Sequence, residues 1–97
     1  MMRILLALLA FIYPAQDISY TSPLLQMEAG NVVVLTHRVS APTYTVRVTA
    51  NEQIYKFYNV RVGQRLVAGV ARVTLTEKLR VRIAAKGTLE IQLSISE

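Results

Sequence analysis

Residues 88–96 have the sequence TLEIQLSIS, in which polar and apolar side chains alternate without a break. Successive side chains of an extended chain point to opposite faces. The apolar members of this stretch therefore share one face; they are Leu89, Ile91, Leu93 and Ile95. The stretch predicts a β-strand that is buried on one side and exposed on the other.

The residues just before this strand repeat the same period. Residues 79–83, LRVRI, alternate apolar side chains with Arg80 and Arg82. Ala85, Lys86 and Gly87 lie between the two alternating stretches and provide a glycine for a tight turn. The pattern predicts an antiparallel hairpin at the C-terminal end of the chain.

Upstream segments also alternate with a period of two. They are a short edge strand over residues 24–28, a central strand over 31–39, and strands over 44–50, 54–62 and 70–76. Within 54–62 the alternation changes phase, which predicts either burial on both faces or a bulge near Asn59. No helical period follows Gln16. The sequence predicts one all-β domain over residues 24–97, a small antiparallel β-sandwich of six to eight strands, with a small barrel as the alternative.

A short hydrophobic segment, residues 1–16, precedes the domain. It starts with Met1-Met2-Arg3 and continues with ten apolar residues, 4–13, which are too few for a comfortable membrane span of about 20 residues. The pattern fits a signal peptide, although Tyr13 occupies a position where cleavage prefers a small residue. A retained membrane anchor and an arm in an assembly are the alternatives, and both would use Ile4, Leu5, Leu6, Leu8, Leu9, Phe11 and Ile12. Residues 17–23, DISYTSP, predict a linker.

The residue types that catalysis and metal binding require are scarce. The chain has no cysteine, one aspartate (Asp17) and one histidine (His37), and its glutamates are scattered. No nucleophile motif or phosphate-binding loop occurs. We therefore expect no enzyme activity, no cofactor, no metal site and no small-molecule substrate. His37 is expected to lie at a surface or an interface.

The basic residues are the most informative polar feature. The formal net charge is +5, from 11 basic and 6 acidic residues, which favours anionic partners. Several arginines fall on predicted outward faces, and strand neighbours among them would form a basic ladder with aromatic residues beside it. The predicted interaction face comprises Arg47, Tyr55, Phe57, Arg61, Arg72, Arg80 and Arg82. Such a face could bind single-stranded nucleic acid, or its arginines could keep an exposed sheet soluble and protect its edges.

Residues 43–96, and especially LRVRIAAKGTLEIQL at 79–93, resemble the small β-sandwich domains of bacteriophage virion accessory proteins, that is, decoration and minor capsid proteins. In those domains an arginine-bearing strand leads through a glycine turn to the last strand. The resemblance implies a structural role and transfers no site residues.

Three functional hypotheses follow. The first is a non-enzymatic structural or interaction module, a virion accessory or minor capsid protein that packs on other subunits and contacts a membrane through residues 4–13. The second is a secreted or periplasmic module that binds a glycan or a protein after signal cleavage. The third is a single-stranded nucleic-acid binder that uses the arginine-bearing sheet. The first hypothesis predicts a virion or membrane-associated location.

Overall fold

The computed structural model describes residues 19–97, which form two antiparallel sheets packed as a β-sandwich. Sheet A contains β1 (Ser19–Thr21), β2 (Leu25–Met27), β4 (Tyr44–Ala50), β5 (Gln53–Val60) and β9 (Leu89–Ser96). Sheet B contains β3 (Val32–Thr36), β6 (Arg65–Ala68), β7 (Ala71–Leu75) and β8 (Arg80–Ala85). The order in sheet A is β1-β9-β4-β5, with β2 also paired to β9, and the order in sheet B is β3-β8-β7-β6.

The predicted all-β sandwich is confirmed, with nine strands in the described residues rather than six to eight. The two strands that the sequence did not indicate are β1 and β6. β1 lies inside the predicted linker, 17–23, and pairs with the end of β9. The hydrophobic segment 1–16, with its predicted anchor or arm residues, lies outside the described residues. No helix within residues 19–97 is long and apolar enough to cross a membrane.

The predicted C-terminal hairpin is wrong, because β8 and β9 belong to different sheets. β8 pairs with β3 and β7, whereas β9 pairs with β4, β1 and β2. The connecting residues cross between the sheets, held by a bond from the Lys86 N–H to the Val70 carbonyl at 2.7 Å. An arch between sheets and a hairpin bury the same alternate residues, so the period of two cannot distinguish them.

The prediction that residues 31–39 form a central strand is also wrong. β3 is an edge strand of sheet B and ends at Thr36. Only Val33 and Leu35 of the strand turn toward the interior, whereas Val32 and Val34 are exposed on the outer face. A run of apolar residues indicates burial on both sides, but among the described residues no layer covers the outer face of sheet B, so the outward valines are exposed.

The predicted bulge near Asn59 is confirmed. Val46 pairs with Phe57 and Tyr44 pairs with Val60, so β5 has one residue more than β4 between these pairs. Asn59 has a φ of 56°, in the left-handed region that asparagine tolerates better than most residues. The bulge explains how both Phe57 and Val60 face the interior although they are three residues apart.

The core forms where the inner faces of the two sheets meet. Both sheets contribute β-branched and leucine side chains that are almost completely buried; they include Val46, Val48, Ile91, Leu93 and Ile95 from sheet A and Val73, Leu75, Val81 and Ile83 from sheet B. Alternate residues of each strand are inward, as the period of two requires. This packing fixes which side chains of each sheet point outward.

Gly69, in the turn between β6 and β7, permits a close approach of Tyr55 from the opposite sheet. Its φ is 62°, and a β-carbon there would lie 3.2 Å from the Tyr55 hydroxyl oxygen. We expect Gly69→Ala to lower the free energy of unfolding by about 1–2 kcal/mol, from backbone strain and from this contact. Urea denaturation measures the loss. Adding Tyr55→Phe, which removes the hydroxyl, should restore part of it; an equal loss in both backgrounds would contradict the role of the contact.

Candidate functional site

The outer face of sheet B gathers most of the predicted arginines. We call the outward side chains of this sheet the arginine face; they are Val32, Val34, Thr36, Arg65, Val67, Arg72, Thr74, Arg80, Arg82 and Ala84. Strand register arranges them in rows. One row runs Val34, Arg82, Thr74, Arg65, and the next runs Val32, Ala84, Arg72, Val67.

An open groove of about 720 Å³ runs over this face. Its basic lining residues are Arg65, Arg72, Arg82 and Lys86. The short side chain of Thr74 lies between Arg82 and Arg65 in one row, and that of Ala84 lies between Val32 and Arg72 in the next, which leaves space above the sheet. The groove therefore combines cationic side chains with the exposed apolar surface of Val32 and Val67.

Arg72 is held in place by the turn beside it. Its Nη1 donates hydrogen bonds to the carbonyl oxygens of Gly69 at 2.9 Å and Ala71 at 3.2 Å. Carbonyl groups satisfy donors without neutralising the charge of the guanidinium. Arg72 therefore presents a preorganised positive charge, and the rest of its planar donor fork suits a carboxylate or phosphate.

The positive charge of the groove has no counter-charge in the described part of the chain. Within residues 19–97, the one ion pair joins Arg80 to Glu77 at 3.7 Å, and no carboxylate lines the groove. Such an exposed ion pair contributes about 0–1 kcal/mol to the free energy of unfolding. The arrangement can attract an anionic group and bind it through charge-assisted hydrogen bonds.

The structure brings together only part of the predicted interaction face. Arg72, Arg80 and Arg82 lie on the neighbouring strands β7 and β8, as the predicted ladder requires. The other predicted residues lie elsewhere: Arg47 on the outer face of sheet A, Arg61 in the turn after β5, and Tyr55 and Phe57 partly buried on the inner side of sheet A. Within residues 19–97, no aromatic residue lies beside the ladder on the arginine face.

Sequence reasoning missed Arg65 and Lys86. Arg65 begins β6 and faces outward together with Val67, while Leu66 and Ala68 are buried. The alternation of residues 65–68 indicates a strand, but four residues are too few for the pattern to be distinctive. Lys86 directly follows β8 and continues the outward alternation of Arg82 and Ala84, whereas the predicted turn over residues 85–87 assigns it to no face.

His37 is buried in the interior of the domain, which corrects the prediction of a position at a surface or an interface. It is 2% exposed, and its ring lies 6.0 Å from that of Tyr20 and 5.7 Å from that of Tyr44, measured between centroids. It continues the inward alternation of Val33 and Leu35 beyond the end of β3.

The His37 Nδ1 has no hydrogen-bond partner within the described residues. Burial lowers the pKa of His37 below its usual 6.5, and a smaller opposing effect comes from a hydrogen bond with the Val39 backbone.

This shift predicts a pH dependence of stability. The unfolded chain, with an ordinary histidine, binds the proton more readily than the folded protein does. The free energy of unfolding should therefore fall as the pH drops from about 7.5 through 6.5. Urea denaturation at several pH values should show this slope in the wild type and a smaller one in His37→Phe. Equal slopes would contradict the assignment to His37.

Residues 19–97 contain no group of three or more histidine, aspartate or glutamate side chains close enough together to hold a metal ion. The fold and the face together define a β-sandwich domain with a cationic groove on one sheet. No known protein family, curated protein or solved structure matches the chain.

Proposed function

We propose that this protein is a non-enzymatic structural or interaction module that packs onto a larger protein assembly through the arginine face. The observation that carries the proposal is the groove: four basic residues line it, and no carboxylate among the described residues does. A surface of this charge is complementary to an acidic protein surface, and the exposed valines add apolar contact area.

An acidic protein suits the face better than nucleic acid does. Single-stranded nucleic acid is bound largely by stacking of bases on aromatic side chains, worth about 1–3 kcal/mol per base. Tyr55 and Phe57 are partly buried on the inner side of sheet A, and Tyr58, which is exposed, belongs to sheet A as well. Among the residues that the structure describes, no aromatic residue lines the groove of sheet B.

The finer form of the proposal is a virion accessory or minor capsid protein. It rests on the sequence resemblance of residues 43–96, and the sandwich fold is compatible with that role without implying it. The proposed location is a virion or a membrane-associated assembly. Export after signal cleavage is the alternative, and the intact mass of the natural protein distinguishes them, because only a retained segment adds the mass of residues 1–16.

Incorporation into large particles tests the proposal. Tagged full-length chains are expressed in the source organism, and lysates are fractionated by size. The wild type should sediment with particles of defined composition, and Arg65→Glu/Arg82→Glu should not. The matched control is Arg47→Glu/Lys56→Glu, which changes the charge equally at a cross-strand pair on sheet A. The proposal would be overturned if the wild type sedimented as free protein, outside any large particle. Equal incorporation of the sheet B variant and the sheet A control would overturn it as well.

A further inference from the structure

The edge strands of the sandwich differ in how they are protected against pairing with another chain. An exposed edge strand presents unpaired backbone N–H and C=O groups. Proteins usually protect such an edge with charged side chains, with bulges or by keeping the strand very short. In sheet A, β5 carries Lys56 and the bulge at Asn59, and the opposite edge is formed by three-residue strands. In sheet B, β6 has four residues and starts with Arg65.

β3 has none of these protections. Its sequence is VVVLT, with no charge, proline or bulge, and three of its five residues are valines. Val32 and Val34 are 47% and 55% exposed. Within residues 19–97, β8 is the one strand that pairs with it. Such an uncharged edge, rich in β-branched residues and without a bulge, is suited to pairing with a further strand.

The hydrogen-bond pattern shows which backbone groups this edge offers. The N–H of Ala85 donates to the carbonyl of Asn31 at 3.0 Å, and the N–H of His37 donates to the carbonyl of Leu79 at 2.7 Å. In an antiparallel ladder, residues that bond to the neighbour alternate with residues that do not. The N–H and C=O groups of Val32, Val34 and Thr36 therefore point away from β8, toward the open edge.

We propose that β3 pairs with β3 of a second copy of this chain, antiparallel, about a twofold axis at Val34. In this register Val34 faces Val34 of the second copy and Val32 faces Thr36. All three residues point their backbone groups to the edge, so each opposed pair exchanges two hydrogen bonds. The contact is isologous, because the same strand is used on both sides.

The charges around β3 favour this partner. Antiparallel pairing brings the chain just beyond β3, at Arg38, next to the turn before β3 of the second copy, which contains Glu28. That turn is compact, with the Glu28 N–H donating to the Asn31 Oδ1 at 2.8 Å and the Asn31 N–H donating to the Glu28 carbonyl at 3.0 Å. Arg38 and Glu28 are both exposed, so their opposite charges are available for pairing between copies.

Repulsion between the arginine faces does not oppose the contact. The β8 strands of the two copies would be separated by three strand spacings, roughly 14 Å. That distance exceeds the screening length of about 8 Å at physiological salt. The twofold axis is perpendicular to the sheet, so both arginine faces point to the same side and form one wider basic surface. The dimer goes beyond the proposed function and does not depend on it.

Oligomeric state is the first test. Light scattering coupled to gel filtration should show a dimer for the full chain and a monomer for Val34→Lys, with unchanged circular dichroism. The control is Val67→Lys, at a valine of the same exposure on the opposite edge of sheet B, which should remain a dimer. Both variants retain residues 1–16, so any association through that segment is common to them. A monomeric wild type, or a Val34→Lys dimer, would overturn the proposal.

Disulfide trapping tests the register. The chain has no cysteine, so each variant has a single thiol. Under mild oxidation Val34→Cys should form a covalent dimer, since facing α-carbons about 5.5 Å apart suit a disulfide. Val32→Cys should not, because its copies are roughly 14 Å apart along the ladder. Mixing Val32→Cys with Thr36→Cys chains should restore cross-linking. Equal cross-linking of Val34→Cys and Val32→Cys, or none with Val34→Cys, would contradict the paired arrangement.

Discussion

Replacing Leu93 by alanine should lower the free energy of unfolding by about 2–5 kcal/mol, the range for large-to-small substitutions in a packed core. Leu93 is 1% exposed on β9, the strand that joins β1, β2 and β4 in sheet A. Alanine would remove part of the contact between the sheets and leave a cavity, because the neighbouring strands are fixed by their own pairing. For a domain whose total stability is about 5–15 kcal/mol, a loss of this size is severe.

Urea denaturation, followed by circular dichroism, measures this loss. The control is Ile54→Ala on β5 of the same sheet, since Ile54 is 54% exposed and its truncation should change stability by about 0.5 kcal/mol or less. Equal losses in the two variants would mean that the interface between the sheets is not the stabilising core described above.

Reversing two charges on the arginine face should reduce affinity for an acidic protein surface about tenfold or more. Arg65 and Arg82 flank Thr74 in one row of sheet B. A hydrogen bond to a charged group contributes about 1.5–3 kcal/mol, and 1.4 kcal/mol corresponds to a factor of ten, so Arg65→Glu/Arg82→Glu loses attraction and adds repulsion. Poly-L-glutamate is a defined acidic probe.

Isothermal titration at low salt compares this double variant with Arg47→Glu/Lys56→Glu. Both variants carry the same net charge, so a general effect of charge would weaken them equally. A loss confined to the sheet B variant supports the arginine face as the docking surface. Equal weakening of the two variants would contradict that assignment.

Much of the fold could be predicted because alternation depends on local chemistry. In β4, β7 and β9 the predicted inward residues are the buried ones, and the phase change near Asn59 marks the bulge. Pairing partners could not be predicted in this way. The turn at Lys86-Gly87 permits either a hairpin or a crossing between sheets, and only the packing of distant strands decides between them.

In the candidate site too, the local direction of side chains could be predicted and the pairing of strands could not. The outward direction of Arg80 and Arg82 is a local property of the alternation in β8, and the structure confirms it. Arg65 lies on the same face as these two arginines because β6 pairs with β7. Arg47 lies away from them because β4 belongs to sheet A. Neither pairing can be read from the alternation. The burial of His37 follows the alternation of Val33 and Leu35, but histidine is buried less often than valine or leucine, so the residue type by itself does not indicate it.

Amide chemical-shift mapping shows whether the outer face of sheet B is the docking surface. The ¹⁵N-labelled full chain is titrated with poly-L-glutamate at low salt and again at high salt. Shift changes should be concentrated on the outward residues of β6, β7 and β8, such as Arg65, Thr74 and Arg82, and should disappear as salt screens the charges. Shift changes concentrated around Arg47 and Lys56 on sheet A, or shift changes that persist at high salt, would contradict docking through the outer face of sheet B.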